Sequence, residues 1–235
     1  ALSLPIWYIN GVRMWTAVQV YIFGLLSIYL NDNKKGYIWV VVSILFHWSL
    51  MLPVVILLVF KYVPKNLMGL IIFFFSGALI SEVDLMAVQN NLSFLPEIFQ
   101  TKVSAYTNEA YAESTNLASN ALAWHVLLAG FFGKWVMFIW VFVLYYYRRD
   151  WVPNLHRFEQ LFAFALFLGG IGLIASNIPS GFRYYSIAKM LFYAVFIMAL
   201  TQKSFVAKTR LVGMFTIPAL GFFVIFMIRT GFNYM

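Results

Sequence analysis

The chain alternates long apolar runs with short polar connections. The runs cover about residues 10–30, 37–60, 67–85, 122–146, 161–178, 186–200 and 211–228. Most approach the roughly 20 residues that a spanning helix needs. None shows the apolar–polar alternation of an outer-membrane barrel strand. The pattern predicts an all-α polytopic integral membrane protein, one transmembrane domain over residues 1–235. It has about six to eight transmembrane helices by this length criterion, including one short broken or re-entrant hairpin.

The connections orient these runs. YRRDWVPNLHR carries Arg148, Arg149 and Arg157, and QKSFVAKTR carries Lys203, Lys208 and Arg210. NDNKKG adds Lys34 and Lys35. Lys and Arg concentrate in cytoplasmic loops, so these three connections are expected inside. Residues 86–121 are rich in Asn, Ser and Glu, with Lys102 the only cation, and are expected as an external loop. NIPSGFRYY, opposite the basic loops, is expected outside as well.

Parity then constrains residues 37–60. An external 86–121 loop puts KYVPKN inside, on the side that already holds NDNKKG. The run between them must leave and return, yet its length of about 24 residues is too short for two full crossings at 1.5 Å per residue. It fits a pair of short helices broken near His47–Pro53, because Pro53 lacks an N–H and disfavours helix before it. Irregular backbone at membrane depth must line a wet cavity or be buried in protein, which places His47 at a turn facing an external cavity. The alternative is KYVPKN outside, which makes residues 37–60 a single span.

Composition supports the class. Of 235 residues, 63% are hydrophobic and 10% charged, against about 25% charged in a soluble domain. Mean hydropathy is +0.84. The net charge of +8 lies mostly in connections, so it reports topology and not nucleic-acid binding. With no Cys, disulfides and thiol chemistry are excluded. The chain starts at Ala1 about a dozen residues ahead of a span, as a processed, trimmed or partial chain would. There is no P-loop, no GxGxxG after a strand, and no HExxH.

Three residues stand out against this background: Arg13 in YINGVRMW, His47 in SILFHWSLMLP and Arg183 in SGFRYYSIAKM. Such residues in apolar surroundings are costly and usually face a cavity or a substrate. The topology above places all three at the outer side. Each has an ordinary reading too: Arg at a helix end snorkels to headgroups, and a lone His on an apolar face is often a satisfied core residue. Glu82 and Asp84 close the third run on the same side, as a base, a cation site or solvated helix-end charges. Lys189, a turn and a half past Arg183, would extend the cationic patch. Lys134 lies within a run, and His156 sits in a basic loop, where solvation alone explains it.

The stretch from Asn10 to Phe60 resembles the EpsG-like, Wzy-type polysaccharide polymerases. Those proteins show an N-x-x-R-Q start to a span, a short basic loop, and then an F-H-x-S-x-(x)-L-P-like element. Asn10, Arg13, His47, Ser49 and Pro53 stand at the matching positions. NIPSGFRYYSI, with Arg183, Tyr184 and Tyr185, resembles the family's later R-x-x-Y-Y/F segment. Two departures are Met14 in place of Gln, and no counterpart of the N-terminal spans with their external Arg-Tyr-Asp-rich segment. The latter implies that this is the C-terminal part of a longer polymerase.

The resemblance implies glycosyl transfer at the outer face of the bacterial cytoplasmic membrane. The donor would be a polyprenyl-diphosphate-linked glycan and the acceptor another lipid-linked repeat unit. Membrane lipid and a chain-length regulator or other polysaccharide-export proteins would be partners. Arg13 and Arg183 would clamp the diphosphate, since Arg binds phosphate bidentately and keeps its proton. Asn10, Ser49, Tyr184, Tyr185 and Lys189 would line the substrate. His47 is the first candidate for the base that takes the acceptor proton, with Glu82 or Asp84 second. No metal and no cofactor is required if arginines supply the positive charge. A lipid-glycan flippase or transporter holding an anionic headgroup, or a membrane O-acyltransferase, are the alternatives.

Overall fold

The computed structural model describes residues 12–80, 100, 124–150, 155–178 and 181–232. Among these there is no strand. In chain order the helices are α1 (Val12–Asn31), α2 (Gly36–Phe46), α3 (Met51–Phe60), α4 (Leu67–Leu79), α5 (Trp124–Tyr146), α6 (Leu155–Ala175), α7 (Phe182–Leu200) and α8 (Lys203–Phe232). Short 3-10 turns, Trp48–Leu50 and Arg148–Asp150, precede α3 and follow α5. Among the described residues, three helical stretches are long and apolar enough to cross a membrane: Val12–Asn31, His156–Ala175 and Phe182–Leu200.

α1 ends at a defined stop. Asp32 takes a left-handed backbone, φ 51°, which Asp tolerates because its short polar side chain bonds locally. The Asn33 N–H then donates back to Ser27 O at 3.1 Å, occupying a carbonyl of the last helical turns. α2 folds back against α1 as an antiparallel neighbour. Gly24 and Gly36 allow this: a Cβ on Gly24 would stand 2.7 Å from Gly36 O. Small residues at such crossings let two backbones meet.

Residues 37–60 form the hairpin expected from parity. α2 ends at His47, whose N–H donates to Ser43 O at 3.2 Å, and the 3-10 turn closes with Leu50 N–H to His47 O at 3.1 Å. α3 then returns. Phe60 packs on Phe164 and Phe167, with centroids 5.3 and 5.5 Å apart. Lys61 Nζ sits 4.9 Å above the Tyr37 ring. NDNKKG and KYVPKN therefore occupy the same end of the bundle. The reversal is at His47–Leu50, and Pro53 falls in the first turn of α3, where an N–H has no intrahelical partner to lose. Its carbonyl accepts the Tyr21 hydroxyl at 2.8 Å, tying α3 to α1.

α6 is the central helix, with every residue from Leu161 to Leu166 buried. α4 runs beside it in the same direction, and Asn177 Nδ2, just past α6, donates to Ile80 O beyond α4 at 2.7 Å. α7 returns antiparallel to α6, with Phe162 and Phe192 in contact. Phe138 of α5 meets Phe74 edge-on, and Trp140 lies 4.3 Å from Phe196 of α7.

The bundle thus has two chemically distinct ends. One collects Lys34, Lys35, Lys61, Lys65, Arg148, Arg149 and Arg157, with Lys203 and Lys208 at the start of α8. Arg157 bonds Leu30 O at 2.6 Å and pairs with Asp32, pinning the end of α1 to the start of α6. Lys208 pairs with Asp150 at 2.7 Å. The opposite, far end holds Arg13, the hairpin tip, Ile80, Asn177 and Arg183. The charge pattern places residues 203–210 in a loop, but they form the first turns of α8, separated from α7 only by Thr201 and Gln202. Helix can continue past an apolar run here because long cationic side chains reach water from a helical backbone.

Candidate functional site at the far end

Arg13 stands in the first turn of α1, exposed, next to the buried Met14. The hairpin tip comes to it: Ser49 Oγ lies 3.7 Å from Met14 Sδ. His47 is half-buried at that tip, in the break between α2 and the 3-10 turn and outside both helices. Its backbone is extended, φ −158° and ψ 121°. Nδ1 accepts the Ser49 N–H at 3.2 Å and lies 2.6 Å from Ser49 Oγ. The ring caps the turn that follows it, as an N-cap side chain does.

Arg183 arrives from a distant part of the chain. The connection between α6 and α7 is tight, and a Cβ on Gly181 would stand 1.7 Å from Ala175 O. That close pass starts α7 at Phe182 and sets Arg183, half-buried, in its first turn at the far end. Arg183 and Arg13 thus stand at the end of the bundle that holds the His47 turn. Partial burial, then Arg183, then Arg13 lower the ring's readiness to take up a proton. All ion pairs among the described residues lie at the basic end, so neither guanidinium has a carboxylate partner among them.

Other expected residues fall differently. Lys189 is six residues past Arg183, which at 3.6 residues per turn puts it roughly a third of the way around α7. Its ammonium lies 5.3 Å above the Tyr185 ring. Lys189 and Arg183 therefore face different directions. The Tyr185 hydroxyl is buried and has no hydrogen-bond partner among the described residues. Tyr184 is half-buried beside it. Lys134 is exposed on α5, over the Phe138 ring at 5.7 Å. Asn10, Glu82, Asp84 and the expected external loop, Gln100 apart, lie outside the described residues.

Sequence reasoning missed a cavity of about 320 Å³ at the basic end, between the starts of α4 and α6 and the end of α5. Lys65, Asn66, Tyr145, Arg148, His156 and Glu159 are among its lining residues. Arg148 and Glu159 pair across it at 3.4 Å, and His156 bonds Gln160 at 2.8 Å. His156 is therefore part of a cavity wall and not only a solvated loop residue. Its partners come from three separate connections, and no local motif joins them.

These observations define an all-helical membrane protein that gathers a histidine and two arginines at one end, the arginines without an ion-pair partner among the described residues. The family model of the EpsG family matches residues 2–234, and the chain belongs to that family. The membership makes it a membrane protein of polysaccharide biosynthesis, polymerase-like in type. The chain matches no curated protein and no solved structure.

Proposed function

We propose that the protein is a polysaccharide polymerase that joins polyprenyl-diphosphate-linked oligosaccharide repeat units. The C1–O bond between the donor glycan and its diphosphate breaks, and the diphosphate leaves with the bonding electrons. An acceptor hydroxyl of a second lipid-linked unit bonds to C1 and loses its proton. The main electrostatic demand is the charge that develops on the diphosphate, and fixed cations in a site poor in water meet it well.

One observation carries this reading: Arg13 and Arg183, from helices far apart in sequence, stand at the same end of the bundle as the His47 turn, whose Ser49 Oγ lies 3.7 Å from Met14 Sδ next to Arg13. Arg13 and Arg183 grip the diphosphate, and His47 works beside them. Membership in a polysaccharide family supplies the chemical class of the ligand. The basic end is cytoplasmic by the positive-inside rule, so the site opens on the outer face of the cytoplasmic membrane. A chain-length regulator or export protein would take up the product on that face.

The test uses the full chain in detergent and in vesicles. Undecaprenyl diphosphate binding is the first readout, and lengthening of lipid-linked repeat units extracted from the host membrane is the second. Arg13→Lys, Arg183→Lys and His47→Ala are each expected to lower both. Wild-type behaviour of all three would end the reading. Binding and translocation without lengthening would favour a flippase.

A further inference from the structure

His47 has two ring nitrogens, and among the described residues only one of them has a partner. Nδ1 faces the Ser49 N–H at 3.2 Å. A backbone N–H always donates, so Nδ1 must present a lone pair. The Ser49 Oγ lies 2.6 Å from the same nitrogen, and its one proton can serve either Nδ1 or Met14 Sδ at 3.7 Å. With Nδ1 unprotonated, the proton of the neutral imidazole resides on Nε2. No bond to Nε2 is present among the described residues.

The surroundings oppose a second ring proton. Protonation would put a third positive charge beside Arg13 and Arg183. It would also place a proton on Nδ1, facing the Ser49 N–H. The far-end site therefore offers an incoming group two guanidinium forks and one imidazole N–H. Each of the three is a donor, and none is an acceptor. Such a set matches the oxygens of a phosphate and gives nothing to an acceptor hydroxyl that must lose a proton.

We propose that His47 serves as a neutral hydrogen-bond donor, through Nε2, to an oxygen of the leaving diphosphate, with Ser49 as the positioning residue that fixes its tautomer. This rests on the diphosphate reading above and replaces the sequence-based expectation that His47 is the base. In the transfer, the Nε2–H is shared with the leaving oxygen and stays on the ring. The acceptor proton goes to a carboxylate, for which Glu82 and Asp84 are the candidates in the sequence. Ser49 acts through His47 and touches no substrate.

Nitrogen NMR on histidine-labelled full chain in detergent reads the tautomer without any assay of activity. His47→Gln removes one set of ring signals and so assigns those of His47 among the three histidines. The expected result is an unprotonated Nδ1 and a protonated Nε2 at pH 7. Undecaprenyl diphosphate should then shift the Nε2 signal and leave Nδ1 unprotonated. A proton on Nδ1 would overturn the proposal.

The variants separate donor from base. Gln sets an amide N–H near the place of Nε2 but has no lone pair there, whereas Ala supplies neither. A lost hydrogen bond to a charged group costs about 1.5–3 kcal/mol, or roughly ten- to 150-fold, so His47→Ala should lose this much in lengthening rate. His47→Gln should recover most of it, to within about tenfold of wild type. A base would instead be lost equally in both variants, by about 10²–10⁴-fold, and that result refutes the donor role. If wild-type chain fails to bind undecaprenyl diphosphate while the tautomer is as stated, the diphosphate reading fails and the ring geometry stands.

Discussion

Lys61 lies with its ammonium 4.9 Å above the ring of Tyr37, so the two ends of a 24-residue apolar run meet on one side of the bundle. Its consequence reaches the functional site. The middle of that run must then sit at the opposite end, and its turn carries His47. Had the run crossed once, His47 would lie near mid-helix and KYVPKN would share a side with Arg13.

Side-specific labelling tests this arrangement cleanly, because the chain has no cysteine to remove first. Lys35→Cys and Lys65→Cys, both exposed at the basic end, should react with a membrane-impermeant maleimide from the same face of sealed vesicles. Asn177→Cys, exposed just past α6, should react only from the other face. Labelling of positions 35 and 65 from opposite faces would restore the single crossing and remove His47 from the site.

How much of this was legible in the sequence varies by element, for physical reasons. The hairpin followed from charge parity alone, since the cost of moving Lys and Arg across a membrane acts on each connection independently of packing. Pro53 marked the vicinity of the break but not its position, because proline is as well suited to a first helical turn as to a kink. Charge also misled: Lys203, Lys208 and Arg210 said nothing of where the helix begins. Lys189 followed Arg183 closely in sequence, yet helical rotation turned it to another face. The basic-end cavity was invisible, since Lys65, Arg148 and Glu159 converge only through tertiary packing.

The α1–α2 crossing should be intolerant of side chains. At Gly24 a Cβ would stand 2.7 Å from Gly36 O and 2.8 Å from Val40 Cγ2, and backbone cannot yield cheaply there. Gly24→Val is expected to destabilise by about 1–3 kcal/mol, the usual range for overpacking. Gly133 is the control, because a Cβ there would meet nothing within 4 Å, and Gly133→Ala should leave the melting temperature in detergent near wild type. Equal melting of both variants would show that the two backbones do not approach as described.

Asp32 tests the closure of α1 in two ways at once. Its φ of 51° is tolerated by Asn and Gly but strained for β-branched residues. Its carboxylate also pairs with Arg157. Asp32→Asn loses only the ion pair, worth about 0–1 kcal/mol at an exposed site. Asp32→Val adds the backbone strain of about 1–3 kcal/mol. Thermal unfolding should therefore rank wild type above Asn, and Asn clearly above Val. A ranking with Val equal to Asn would place Asp32 outside the left-handed region.

The final prediction concerns Arg13 and Arg183 as a pair. Both guanidinium groups lack a carboxylate partner among the described residues, so replacing either removes a charge without stranding another. Folding should change little in Arg13→Gln or Arg183→Gln, whereas undecaprenyl diphosphate binding should weaken by roughly tenfold or more in each, as for loss of a charge-assisted bond. Because both cations stand at one end of the bundle and would hold one ligand, the double variant should depart from the sum of the two, by about 0.5–3 kcal/mol of coupling. Arg148→Gln, at the basic end, should leave this binding alone. Strict additivity between Arg13 and Arg183 would mean that they meet different ligands, and the shared site would dissolve into two separate membrane anchors.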